Sequence, residues 1–81
     1  MRAKIEKWQL LVILKLCARM KRTDFKISVA DLNEAELYVL KKLEKANAPY
    51  DGWWTDDEMN IFVEYDPDYN QYDVYYGNGW I

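Results

Sequence analysis

The sequence contains no histidine, and only one cysteine (Cys17), one serine (Ser28), two threonines (Thr23 and Thr55), three glycines and two prolines. Each scarcity removes a class of chemistry. A single thiol forbids an intrachain disulfide, and with no imidazole it forbids a Cys/His zinc site. Serine or cysteine catalysis in its usual form lacks its base. Three glycines provide no glycine-rich loop to cradle a phosphate. No window approaches the roughly 20 apolar residues that span a bilayer. The longest run near the start, Leu10-Leu11-Val12-Ile13-Leu14, is broken by Lys15, and no small-residue cleavage site follows it. A secretory signal is therefore not expected, nor is a lipidated Cys17 behind Leu16. A lone thiol fits a reducing cytoplasm. No cofactor and no catalytic residue are expected, and the chain is not expected to be an enzyme.

What the sequence does contain is apolar and charged. Hydrophobic residues make up 51% and charged residues 31% of 81 positions, the balance of a soluble globular domain. The charge is unevenly placed. Residues 1–45 hold all eleven Lys and Arg against six acids, a net +5. Residues 46–81 hold eight acids and no base, a net −8, together with ten of the thirteen aromatics. No repeat or low-complexity linker divides the chain. It reads as a single domain over 1–81, with a basic helical half (1–47) and an acidic, aromatic loop and hairpin (48–81).

Residues 3–22 predict a helix. Ile5, Leu10, Val12, Ile13, Leu14, Leu16, Cys17 and Met20 share a broad apolar arc. Lys4, Lys15, Arg19 and Arg22 gather opposite, with Trp8 among them. So wide an arc predicts a central helix packed on two sides. Phe25, Ile27 and Val29 alternate with Lys26 and Ser28, the pattern of a half-buried strand. Asn33 with Glu36 forms a capping box, and Leu32 and Leu37 flank it as a staple, so a second helix should begin at Glu34. Leu37, Val39, Leu40 and Leu43 form its buried stripe. Asn47 and Pro49 are expected to stop it.

Residues 48–60 read as a loop in which Thr55 and Glu58 close one helical turn. Ile61, Val63 and Tyr65 alternate with Phe62 and Glu64. Tyr72, Val74 and Tyr76 alternate with Gln71, Asp73 and Tyr75. Asp66-Pro67-Asp68-Tyr69-Asn70 joins these two runs as a turn, making a β-hairpin. The expectation is an α+β fold, two helices packed on a short antiparallel sheet, in the order α-β-α-β-β.

That order resembles the winged helix-turn-helix in topology, with the hairpin as the wing. The resemblance implies nucleic-acid contact through the basic half, by Lys15, Arg19, Arg22, Lys41, Lys42 and Lys45. The wing tip, Asp66-Pro67-Asp68, is acidic where a phosphate-contacting wing is basic. Asp66, Asp68 and Asn70 also copy the first half of a calcium loop. Gln71 and Gly77 stand where that loop needs glycine and glutamate, so no metal is expected.

The leading expectation rests on the acidic half. Carboxylates spaced along a loop and hairpin imitate a phosphate backbone, and interleaved Tyr and Trp offer rigid contact area. Such a surface suits a protein partner with a basic, nucleic-acid-binding groove. In size and composition the chain looks like the small acidic inhibitors of phages, anti-CRISPR and anti-restriction proteins included. The expected contact residues are Trp53, Trp54, Asp56, Asp57, Asp66, Asp68 and Tyr69. Direct nucleic-acid binding and a homodimer built on the aromatic surface are the competing expectations. No membrane partner is expected.

Overall fold

A computed structural model describes the backbone of residues 3–55 and 58–78, and the side chains of these except residues 3, 47–51 and 54. Two helices pack on one face of a sheet, in an α+β arrangement with the expected α-β-α-β-β order of main elements. They are α1 (Lys7–Met20), β2 (Asp24–Ser28), α2 (Glu34–Asp51), β4 (Asn60–Asp66) and β5 (Gln71–Gly77). Two dipeptide strands, β1 (Ala3–Lys4) and β3 (Trp53–Trp54), extend the sheet to the order β1-β3-β4-β5-β2. β1 runs parallel to β3, and the remaining neighbours are antiparallel. Among the described residues, no helix is long and apolar enough to cross a membrane.

The first helix starts later than its apolar arc predicts. Glu6 is its N-cap, in extended backbone, and the Glu6 N–H donates to Gln9 Oε1 at 3.3 Å. Ala3 and Lys4 are drawn off to pair with Trp53 and Trp54. Ile5 is buried all the same, just ahead of the helix. At the other end Lys21 takes the left-handed conformation (φ 57°), and the Arg22 N–H reaches back to the Cys17 carbonyl at 3.2 Å. This closes the last turn as a glycine would, at a strain of about 1 kcal/mol for a residue with a Cβ.

Two-sided packing of α1 is also corrected. Gln9, Ile13, Leu16 and Cys17 are buried, but Leu11 is 57% exposed and Leu14 36%. The sheet and α2 cover only one side of the helix. The part of the arc that carries Leu11 and Leu14 faces outward.

β2 ends one residue early, because Val29 opens a 3-10 turn (Val29–Asp31) whose N-cap hydroxyl, Ser28 Oγ, accepts from Ala30 N–H at 3.2 Å. The second helix begins where its cap predicts. Asn33 Oδ1 accepts from Glu36 N–H at 2.8 Å, and Glu36 Oε1 accepts from Asn33 N–H at 2.9 Å. Its buried stripe is Val39, Leu40 and Leu43, with Leu37 half-buried.

The expected stop at Asn47 and Pro49 does not occur, and the helix backbone continues to Asp51. A proline there forfeits one ladder bond and crowds the carbonyl four residues back, a cost confined to the last turn of the helix. Gly52 makes the turn instead, at φ 67° and ψ −178°, a region essentially closed to other residues. The predicted 48–60 loop is therefore partly strand: Trp53 pairs with Ile61, and Trp54 with Asn60. The expected helical turn at Thr55 is a hairpin connection. Glu58 N–H donates to the Thr55 carbonyl at 3.0 Å, and Met59 N–H to Thr55 Oγ1 at 3.2 Å. Glu58 adopts φ 62°, which belongs to a tight turn and not to a right-handed helix.

One core gathers Ile5, Ile13, Leu16, Phe25, Ile27, Val39, Leu40, Leu43, Ile61, Val63, Tyr72 and Val74. Period-two alternation thus puts one face of β2, β4 and β5 under the helices and turns the other away from them, with Asp24, Lys26 and Glu64 exposed there and Phe62, Asp73 and Tyr75 half-buried.

Candidate functional site

The open sheet face follows from the strand register. Across β2, β5 and β4 the outward positions align in three rows: Asp24, Tyr75, Phe62; then Lys26, Asp73, Glu64; then Ser28, Gln71, Asp66. Phe62 and Tyr75 form a tilted aromatic pair with centroids 6.1 Å apart. Glu64 and Asp73 stand directly opposite each other. Like charges in that relation weaken a sheet. Lys26, on the far side of Asp73, is the one cation in these rows.

At the end of the hairpin the predicted turn is present. Asp66 pairs with Gln71, and Asp66 Oδ1 accepts from Asp68 N–H at 3.0 Å. This is an Asx-type closure, which Asp supplies through its short side chain. Asn70 takes φ 49°, and its Oδ1 accepts from the Tyr65 hydroxyl at 2.6 Å. Its carbonyl accepts from Val29 N–H at 3.0 Å, so the turn is fastened to the 3-10 segment. Asp68 is exposed, and Tyr69 is 75% exposed at the tip.

Those of the seven expected contact residues whose side chains are described, Trp53, Asp66, Asp68 and Tyr69, do not form one group. Asp66, Asp68 and Tyr69 come together at the turn. Trp53 lies opposite Ile61, five strand positions from Asp66, or about 17 Å along the sheet. It is half-buried, and its indole N–H donates to the Leu43 carbonyl at 3.2 Å. Trp53 therefore braces the sheet edge against α2. Trp54 lies in β3, with its side chain outside the described residues. Asp56 and Asp57 also lie outside them, as does the Tyr50 side chain. Phe62, Glu64, Asp73 and Tyr75 were missed as surface candidates, although their alternation with core positions was the available signal.

The helical side carries a second feature. A groove of about 660 Å³ lies between α2 and the hairpin end, lined by residues that include Tyr38, Lys41, Lys42, Lys45, Tyr65 and Tyr72. Tyr72 sits on its inner wall, where burial first, then the Glu44 carboxylate and Tyr65, push the phenol pKa up. Tyr65 and Tyr72 are cross-strand partners with centroids 5.1 Å apart. On α2, Lys42 Nζ stands 5.9 Å from the centroid of Tyr38, which also stacks on Trp8 of α1 at 6.3 Å.

The basic residues are put to different uses. Arg19 Nη1 donates to Glu36 Oε2 at 3.0 Å and Nη2 to the Asp31 carbonyl at 3.2 Å, tying the end of α1 to the start of α2. It is thereby engaged within the fold, unlike the free phosphate contact expected of it. Cys17 is buried, and burial raises its thiol pKa. The chain matches no protein-family model, no curated protein and no solved structure.

Proposed function

We propose that the chain is a non-enzymatic binding protein that covers a basic, nucleic-acid-binding surface on a protein partner, through the open face and turn of its hairpin. The observation that carries this reading is the opposed pair Glu64 and Asp73 on the sheet face turned away from the two described helices. Two carboxylates set face to face reduce the stability of the hairpin, and a cationic partner removes that repulsion on binding. Tyr69, exposed at the tip, adds flat apolar area among the charges, with the half-buried Phe62–Tyr75 pair beside them. Asp66 and Asp68 extend the acidic row to the turn. Action as an inhibitor of a nucleic-acid-handling protein follows from the same chemistry, since an occupied basic groove no longer accepts a phosphate backbone.

The test is binding to a panel of immobilised basic DNA- and RNA-binding domains, with duplex DNA as competitor. The expected result is salt-sensitive binding that DNA displaces, and that is lost in the variant Glu64→Lys/Asp68→Lys/Asp73→Lys. All three sites lie outside the core, but Asp73→Lys also faces Lys26, so the thermal transition is checked for the fold, and the neutral variant Glu64→Gln/Asp68→Asn/Asp73→Asn, expected to bind more weakly than the unaltered chain, is measured beside it. Equal binding by the lysine variant and the unaltered chain overturns the reading. So does direct, salt-sensitive binding of the chain itself to duplex DNA, which assigns the function to Lys15, Arg22, Lys41, Lys42 and Lys45 instead.

A further inference from the structure

The groove between α2 and the hairpin end is independent of the open sheet face. We infer that it is a binding site for a nucleoside monophosphate, held by Lys41 and Lys45 at its phosphate and by the tyrosine walls at its base. Its volume of about 660 Å³ falls within the range of small-ligand sites. The floor is apolar, built from Val29, Leu37 and the ring of Tyr72. Tyr38 (57% exposed) and Tyr65 (38% exposed) present aromatic surface from the helix and the strand. An aromatic base is the ligand part that such walls accept.

The rim specifies the charge. Lys41 and Lys45 lie one helical turn apart, and among the described residues neither has a carboxylate within ion-pair distance. Like charges at that spacing destabilise a helix, and a bound anion reverses the effect. Lys42, over Tyr38, adds a third ammonium at the same rim. Glu44 also lines the groove, and it limits what fits. Its carboxylate repels a second phosphate but accepts a hydrogen bond from a ribose hydroxyl or an exocyclic amine. One phosphate, one aromatic ring and neutral donors describe a nucleotide monomer better than a strand.

Calorimetric titration of the full chain with AMP, CMP, GMP and UMP tests this, alongside adenosine, inorganic phosphate and a single-stranded octanucleotide. At least one monophosphate is expected to bind in the micromolar-to-millimolar range, with its free nucleoside or phosphate at least ~10-fold weaker. Lys41→Ala/Lys45→Ala and, separately, Tyr65→Ala are each expected to weaken it by about 10-fold or more. The lysines are exposed, so that variant retains the thermal transition of the unaltered chain. Four results overturn the inference: no monophosphate binding up to about 10 mM; phosphate binding as tightly as the nucleotide; unchanged affinity in both variants; or an octanucleotide at least ~10-fold tighter than any monomer. Loss of the open-face binding described above leaves this result untouched, because the two sites share no residue.

Discussion

Gly52→Ala is the substitution whose cost the structure specifies most fully. Gly52 turns the chain from α2 into β3 at φ 67° and ψ −178°. Holding alanine there costs about 1–3 kcal/mol. A Cβ on Gly52 would also stand 2.8 Å from Phe62 Cε1 and 3.0 Å from Cζ. The ring must give way, and overpacking of this kind adds about 1–3 kcal/mol, less whatever ring rotation relieves. Restricting the unfolded chain offsets roughly 0.4–1 kcal/mol. The net loss is about 1–5 kcal/mol and centres near 3, against a total stability of about 4–12 kcal/mol for 81 residues at typical values. At the central value, the transition temperature of a domain of this size should fall by roughly 12–24 °C. Thermal unfolding followed by tryptophan fluorescence reads the shift. In a Phe62→Leu background the added cost should shrink by about 1 kcal/mol, because the ring atoms that meet the new methyl are gone. A fall of less than about 3 °C for Gly52→Ala, with unchanged cooperativity, would refute the positive-φ turn and with it the path that places Trp53 under Leu43.

Asn33→Ala removes the acceptor for Glu36 N–H and should lower stability by about 1 kcal/mol in chemical denaturation. Leu16→Ala should cost about 2–5 kcal/mol, whereas Leu11→Gln, on the outward side of the same helix, should change stability by no more than about 0.5 kcal/mol; equal effects would restore the two-sided packing. Tyr72 is neutral in both folded and unfolded chains at neutral pH. As pH rises past the ordinary tyrosine value of 10.0, the unfolded chain releases this proton before the folded one, so stability falls. Tyr72→Phe should flatten that alkaline decline in pH-dependent melting, and an unaltered decline would contradict the burial of the phenol. Cys17 combines burial with a raised pKa, so a thiol-reactive dye should label it at the rate of unfolding, not of collision.

The parts of the fold that were legible from sequence are those written in neighbouring residues. Asn33 and Glu36 reach each other across one turn, so the start of α2 needs no tertiary knowledge. The hairpin is carried by period-two alternation around Asp66-Pro67-Asp68-Tyr69-Asn70, whose turn bonds are equally local. The strands β1 and β3 are too short for any periodicity, and they pair residues fifty positions apart along the chain. Gly52 was passed over as a loop glycine, because the choice between it and Pro49 as terminator depends on the strand that follows. The wheel of α1 marks its apolar residues but not which of them the sheet covers, and Leu11 and Leu14 fell on the uncovered side.

The same contrast runs through the candidate sites. The carboxylates of the hairpin were evident from composition, and their grouping at the turn from the turn residues. That Glu64 faces Asp73 depends on register, which a strand pattern alone does not give. Trp53 was misplaced because a Trp pair beside glycine reads equally as an exposed loop or as an edge strand. The groove joins Lys41 and Lys45 of α2 to Tyr65 and Tyr72 of the hairpin, and only packing brings them together.

The most direct test of the open-face account is competition on a single basic DNA-binding domain. Labelled duplex DNA is bound to the domain, and the chain is titrated in. The account predicts displacement that weakens as salt rises, and no displacement by Glu64→Lys/Asp68→Lys/Asp73→Lys at equal concentration. Displacement by the variant as effective as that by the unaltered chain would contradict it.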